Sequence, residues 1–190
     1  MSEGQVSVDG QTLPLPRPFL VIATQNPFEF EGTYALPESQ LDRFLIRISM
    51  GYPGRDDERR VLTSHRQGEP VQELESVIES DQVLALQEAV RNVAVEDSVG
   101  EYLLDIVEHT RHSEDLRVGV STRGALSLYR SAQALALIEG RAFVVPDDVK
   151  RLAPLVLSHR VILKSFLRTG QREGAEAVIR RLVEQTVVPI

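Results

Sequence analysis

Three polar side chains, Asn26, Arg43 and Arg123, are the candidates for contact with a ligand. Asn26 follows the apolar run Phe19-Leu20-Val21-Ile22-Ala23 and the pair Thr24-Gln25, and it precedes Pro27. A continuous apolar run suits a strand covered on both faces, as in a parallel sheet. In open α/β sheets, ligands lie beyond the carboxyl ends of such strands. Pro27 restricts Asn26 to extended backbone angles and so helps fix the direction of its amide; the plainer reading is a turn Asn closing a strand. Arg43 stands between Leu41 and Phe44, just before a second apolar stretch at Leu45–Ile48. Either its apolar neighbours anchor the backbone while the guanidinium points elsewhere, or it pairs on the surface with Asp42 or Glu38. Arg123 falls in the first turn of a helix expected over 122–138, where a cation opposes the helix dipole. A helix N-terminus with an Arg beside it is also a good anion site, whereas an exposed Arg there has a small energetic cost.

Other chemistries find less support. His109 and His112 are three apart, but no HExxH pattern or carboxylate set accompanies them, so they read as solvated histidines near a helix end. His65 and His159 form no helical i, i+4 metal pair with them, and no metal site is expected. Ser39, Ser121 and Thr122 lie in no GxSxG context. A phosphate cradle of the form GxxxxGK[ST] needs a Gly-Lys pair, and the sequence has none. The segment Phe143-Val-Val-Pro146-Asp147-Asp148 imitates a Mg²⁺-holding acidic strand end. Proline followed by aspartates is better explained as the start of a helix.

The elements that must position these residues change character along the chain. Val6, Val8, Leu13 and Leu15 flank Asp9-Gly10, a pair suited to a tight hairpin turn. Two strands, at 19–23 and 45–48, follow it, with a short helix between them over Pro37–Phe44. A hairpin and two strands cannot form a sheet covered on both faces, so residues 1–53 read as the end of an α/β domain. From residue 54 to 190 the pattern is helical. Val99, Tyr102, Leu103, Ile106 and Val107 form one amphipathic stripe, and Val149, Leu152, Ala153, Val156 and Leu157 repeat it. Pro154 should kink or divide that second helix. A further stripe is Ala175, Val178, Ile179, Leu182 and Val183, with weaker helices expected over 56–65 and 81–93.

Composition narrows the function classes. The net charge is −7 over 190 residues, and the basic side is almost all Arg, Lys150 and Lys164 being the only lysines. That balance argues against nucleic-acid binding. The absence of cysteine excludes disulfides and thiolate metal sites. No apolar run approaches a membrane span and no secretory leader is evident, so a cytoplasmic location is expected.

Two long segments resemble one family. PFLVIATQNPFEFEGTYALPESQLDRFLIRI is similar to the sensor-1 and arginine-finger region of the MoxR branch of AAA+ ATPases. VSTRGALSLYRSAQALALIEGRAFVVPDDVKRLAPLVLSHRV resembles that branch's helical lid with its sensor-2 arginine. The likeness runs from about Glu3 to Ile162. It implies an α/β remnant of a AAA+ core (a β-hairpin and two strands) followed by an all-α lid, mainly α overall. It also implies sensor 1 at Asn26, the arginine finger at Arg43 and sensor 2 at Arg123. ATP and Mg²⁺ would be used, held mainly by a preceding half that carries the phosphate loop, so this chain alone is expected to be inactive. The family acts in chaperone-like remodelling as ring oligomers, with a hexamer expected and partners that carry a von Willebrand A-type domain. The alternative is a non-catalytic helical module that docks on a complete ATPase.

Overall fold

The computed structural model describes residues 4–8, 10–25, 37–66, 68–164 and 171–189. Strands β1 (Gln5–Val8) and β2 (Gln11–Pro14) form the expected antiparallel hairpin, with Val6 opposite Leu13 and Val8 opposite Gln11. Gly10 supplies the turn with a φ of 79°, a left-handed angle that glycine adopts without steric cost.

The two segments expected as strands carry no strand pairing among the described residues. Residues 19–23 and 45–48 have no assigned secondary structure, with Leu20, Ile22 and Ile48 exposed. A strand is completed only by a neighbouring strand, and the described residues offer these two none. The apolar runs are present, but their cover is not. Between them α1 (Glu38–Leu41) is a single turn following Pro37.

Helices α2 (Arg55–Ser64) and α3 (Ser80–Val90) bury no residue fully and are separated by a short 3₁₀ turn at Pro70–Glu73. The core lies further on. Helices α4 (Asp97–His112), α5 (Thr122–Ile138), α6 (Pro146–Leu157) and α7 (Gln171–Gln185) pack around one cluster. It includes Tyr102, Ile106, Leu128, Val149, Leu157 and Ile179. The α4 and α6 stripes read from sequence are buried throughout; on α7, Val178 is only partly so.

Two details depart from the sequence expectation. The helical part includes a small antiparallel pair, β3 (Leu116–Val118) with β4 (Ile162–Leu163), and a parallel bridge between Ala94 and Phe143. Helix α6 continues through Pro154 to Leu157 before tightening into a 3₁₀ turn at Ser158–Arg160. Pro154 stands one turn from the helix end, where the loss of a single N–H bond is easily borne. Among the described residues, no helix is long and apolar enough to cross a membrane.

Candidate functional site

Arg123 is held by its surroundings more firmly than a surface Arg needs to be. The chain enters α5 through Gly119 and Val120, which lie on the end of α4. A Cβ on Gly119 would come within 2.7 Å of the Arg111 Cα, so only glycine fits. The buried Thr110 hydroxyl accepts from the Val120 N–H at 2.9 Å and itself donates to the Val107 carbonyl at 2.6 Å. Arg111 Nε donates to the Val120 carbonyl at 3.0 Å. Ser121 then caps the helix, its Oγ accepting from the Gly124 N–H at 3.2 Å. The first-turn N–H groups of Thr122 and Arg123 have no acceptor among the described residues. Arg123 is exposed beside them, with no hydrogen bond or ion pair to any described residue. Outward N–H groups and a cation at one helix start favour an anion.

Arg43 is exposed in the tight turn that follows α1, its N–H donating to the Gln40 carbonyl at 3.2 Å. The Asp42 carboxylate faces Arg160. Its Oδ1 lies 3.2 Å from the Nε of Arg160, whose side chain is 1% exposed. The guanidinium of Arg160 donates to the carbonyls of Asp42 at 3.2 Å, Leu45 at 3.2 Å and Phe44. From its own side it meets the Val156 carbonyl and, at 3.4 Å, Ser127 Oγ. Arg160 therefore grips the carbonyls on both sides of Arg43.

His159 supports the same contact. Its Nε2 lies 3.0 Å from the Phe44 carbonyl and 2.8 Å from Arg160 Nη1. The nitrogen can donate to the first or accept from the second, but it cannot do both. Its Nδ1 is buried without a partner among the described residues. Burial pushes the imidazole down to about 4, and the charges of Arg160 and Arg47 act in the same direction. Burial also lowers Arg160 below its ordinary range, opposed by Asp42 and assisted by Arg123. Arg123 and Arg160 are thus near enough for like charge to matter. The Arg47 N–H, donating to the Leu155 carbonyl at 3.0 Å, completes the attachment of residues 42–47 to the end of α6.

The acidic segment near α6 is structural. Asp148 is buried, accepts the Val145 N–H at 2.9 Å, and receives a two-pronged pair from Arg141 at 2.7 and 2.8 Å. Burial raises its carboxyl most, yet the bonds from Arg141 and Val145 outweigh burial and hold it below the usual range. Glu139 extends the network to Arg141 and Arg151. No group of three metal-ligating side chains occurs among the described residues.

Of the residues singled out by sequence, the structure brings the turn that carries Arg43 and the helix start that carries Arg123 to Arg160. Asn26 lies outside the described residues. Arg160 and His159 were not singled out. A usable signal existed, because Arg160 falls four residues after Val156 and three after Leu157, a cation continuing a buried stripe. His109 is exposed near the end of α4, as expected, and its Nδ1 also bonds the buried Thr186 hydroxyl at 2.8 Å, tying α4 to the end of α7.

Residues 1–46 match the family described as ATPases associated with various cellular activities, and residues 108–182 match the AAA lid domain. The chain is 45% identical over its whole length to YeaC, an uncharacterised protein of Bacillus subtilis strain 168, covering 59% of it. It is 37% identical to Chaperone MoxR1 of Mycobacterium tuberculosis H37Rv, covering all of this chain and 52% of that one. A crystal structure of a proposed ATPase from Cytophaga hutchinsonii superposes with a TM-score of 0.86 at 32% identity, covering all of this chain and 60% of that one. The chain therefore spans about half to three-fifths of the length of the relatives it matches.

Proposed function

The chain belongs to the MoxR family of AAA ATPases, and on that premise we propose that it supplies the nucleotide-sensing and lid parts of an ATP-driven, ring-forming remodelling factor. The observation that carries the reading is the built N-terminus of α5. Gly119, Thr110, Arg111 and Ser121 fix its backbone and leave Arg123 facing outward. In this reading ATP is the substrate and Arg123 is sensor 2, reaching its phosphates as the lid swings. Asn26 is sensor 1 and orients the attacking water. Arg43 is the finger, stabilising charge in the neighbouring subunit's site. Residues 1–53 belong with the α/β core, and 54–190 form the lid.

The described residues suit the phosphate end of a nucleotide but give Mg²⁺ no donor set, since Asp148 is already paired with Arg141. With no Gly-Lys loop in its sequence, the chain by itself should neither bind ATP-Mg²⁺ tightly nor hydrolyse it. Its client is another protein, with a von Willebrand A-domain partner as the family suggests.

Joining the chain to the part of YeaC that it does not match tests the reading. The fusion should hydrolyse ATP. Arg43→Ala should lower turnover on the order of 10³-fold or more while leaving ATP affinity nearly intact. Mixing that variant with subunits unable to bind nucleotide should restore part of the rate. An inactive fusion, or full activity without Arg43, would overturn the proposal.

A further inference from the structure

A buried guanidinium is costly unless its N–H groups find acceptors. Arg160 belongs to the turn that ends α6, yet three of its acceptors, the carbonyls of Asp42, Phe44 and Leu45, lie in the Arg43 turn, where the Asp42 carboxylate also forms an ion pair with its Nε at 3.2 Å. Hydrophobic contact alone could hold two surfaces together. An arginine adds directed bonds to the backbone on either side of Arg43, and so fixes where Arg43 begins.

The path of the Arg160 side chain is equally specific. It crosses the first turn of α5 at Gly124, where a Cβ would stand 3.0 Å from Arg160 Cδ and 2.6 Å from Val120 Cγ1. The glycine that follows Arg123 therefore makes room for the arginine that holds the Arg43 turn. Ser127, one turn further along α5, also faces that guanidinium.

The geometry points to Arg160 as a positioning residue that links the Arg43 turn to the first turn of α5, so that charge at Arg123 alters how firmly the Arg43 turn is held. The functional meaning of this link rests on the reading of Arg43 and Arg123 proposed above. With no anion present, the two cations oppose one another across Gly124. An anion on Arg123 relieves that repulsion and tightens the grip on residues 42–45. The site that senses phosphate thereby reports to the side chain that serves the next subunit.

Residue-resolved hydrogen exchange on this chain tests the link through the amides of Asp42, Arg43, Phe44 and Arg47. Arg160→Gln should raise their opening on the order of tenfold or more, while amides within α4 and α7 keep their protection. Arg160→Lys keeps the charge without the fork and should restore only part of the protection. Arg123→Ala should slow the opening by roughly two- to fivefold, and that slowing should vanish in the Arg160→Gln background. Unchanged exchange in Arg160→Gln overturns the assignment, as does an Arg123→Ala effect that survives without Arg160. Should Arg160→Gln loosen the whole lid, Asp42→Asn decides, because it alters no residue of the lid. It should loosen the same amides, and wild-type exchange there would also overturn the assignment. No nucleotide enters these measurements, so failure of the ATPase reading would appear only in turnover of the fusion.

Discussion

Ile22 and Ile106 are the same side chain in two parts of one chain, yet Ile22 is 81% exposed and Ile106 is fully buried. Around Ile106, helices α4 to α7 enclose one cluster, beside which the buried Thr110 hydroxyl and Asp148 carboxylate are hydrogen-bonded. Around Ile22, a segment without regular structure presents apolar side chains with no ladder among the described residues. Both stretches are strongly apolar, but only one finds its cover here. An apolar run states that a segment needs burial but does not say what supplies it.

The widest test of that contrast is truncation on each side of it. Leu128→Ala, in a fully buried position, should cost about 2–5 kcal/mol. Ile22→Ala should stay within about 0.5 kcal/mol in the isolated chain. Denaturant midpoints of the two variants measure the difference directly. An equal loss at both sites would mean that Ile22 is covered in solution. Limited proteolysis sharpens the boundary: cleavage should concentrate before α4, since α2 and α3 bury no residue fully and the core begins near Val93.

The next effect lies inside the packed region and concerns charge. Asp148→Ala removes a carboxylate that caps α6 and leaves Arg141, at 24% side-chain exposure, without its main partner. The expected loss is on the order of 3 kcal/mol, read from the thermal or denaturant midpoint. A loss below about 1 kcal/mol would show that the pair is screened like an ordinary surface bridge.

A smaller effect should appear at the seam between the two regions. The His159 imidazole is held down to about 4 by burial, with Arg160 and Arg47 adding to the shift and the Phe44 carbonyl and Asp42 opposing it. The unfolded chain binds this proton near pH 6.5, and the folded chain only near 4. Stability from this group is therefore complete above about pH 6.5 and is lost as pH falls from there towards 4. The loss should be on the order of 1–3 kcal/mol. His159→Gln should flatten that part of the stability–pH curve while leaving the carboxylate titrations in place. An unchanged slope in the variant would remove His159 as its source.

Helices were the most legible part of the sequence, because a stripe such as Val99-Tyr102-Leu103-Ile106-Val107 carries its own period and needs one apolar partner face. Helix α5 begins at Thr122 and ends at Ile138, as its pattern predicts. The strands at 19–23 and 45–48 were less secure, since a strand is completed only by neighbours of unspecified position. At the site, Arg123 could be read from its place in the first turn of an expected helix, whereas for Arg160 the sequence marked only the face it shares. Spacing placed it on the buried face, whereas its acceptors, the carbonyls of Asp42, Phe44 and Leu45, lie more than a hundred residues away. Backbone carbonyls leave no mark in a sequence.

The smallest expected effect is the loss of Arg123. A cation in the first turn of α5 opposes the helix dipole by about 0.3–1 kcal/mol. It also lies near the buried Arg160 charge, which it pushes in the unfavourable direction. No described residue offers it a compensating ion pair. Arg123→Ala should therefore leave the stability of the chain unchanged or raise it by up to about 1 kcal/mol. A residue kept at a cost to the fold is expected to serve something other than the fold. Salt offers the control, because a dipole and a like-charge repulsion are both screened, so the gain should shrink between low and high ionic strength. Arg123→Lys should show little of the gain, since it retains the charge and loses only the fork. A clear destabilisation by Arg123→Ala would mean that the side chain already has a structural partner, and the case for a waiting anion would fall with it.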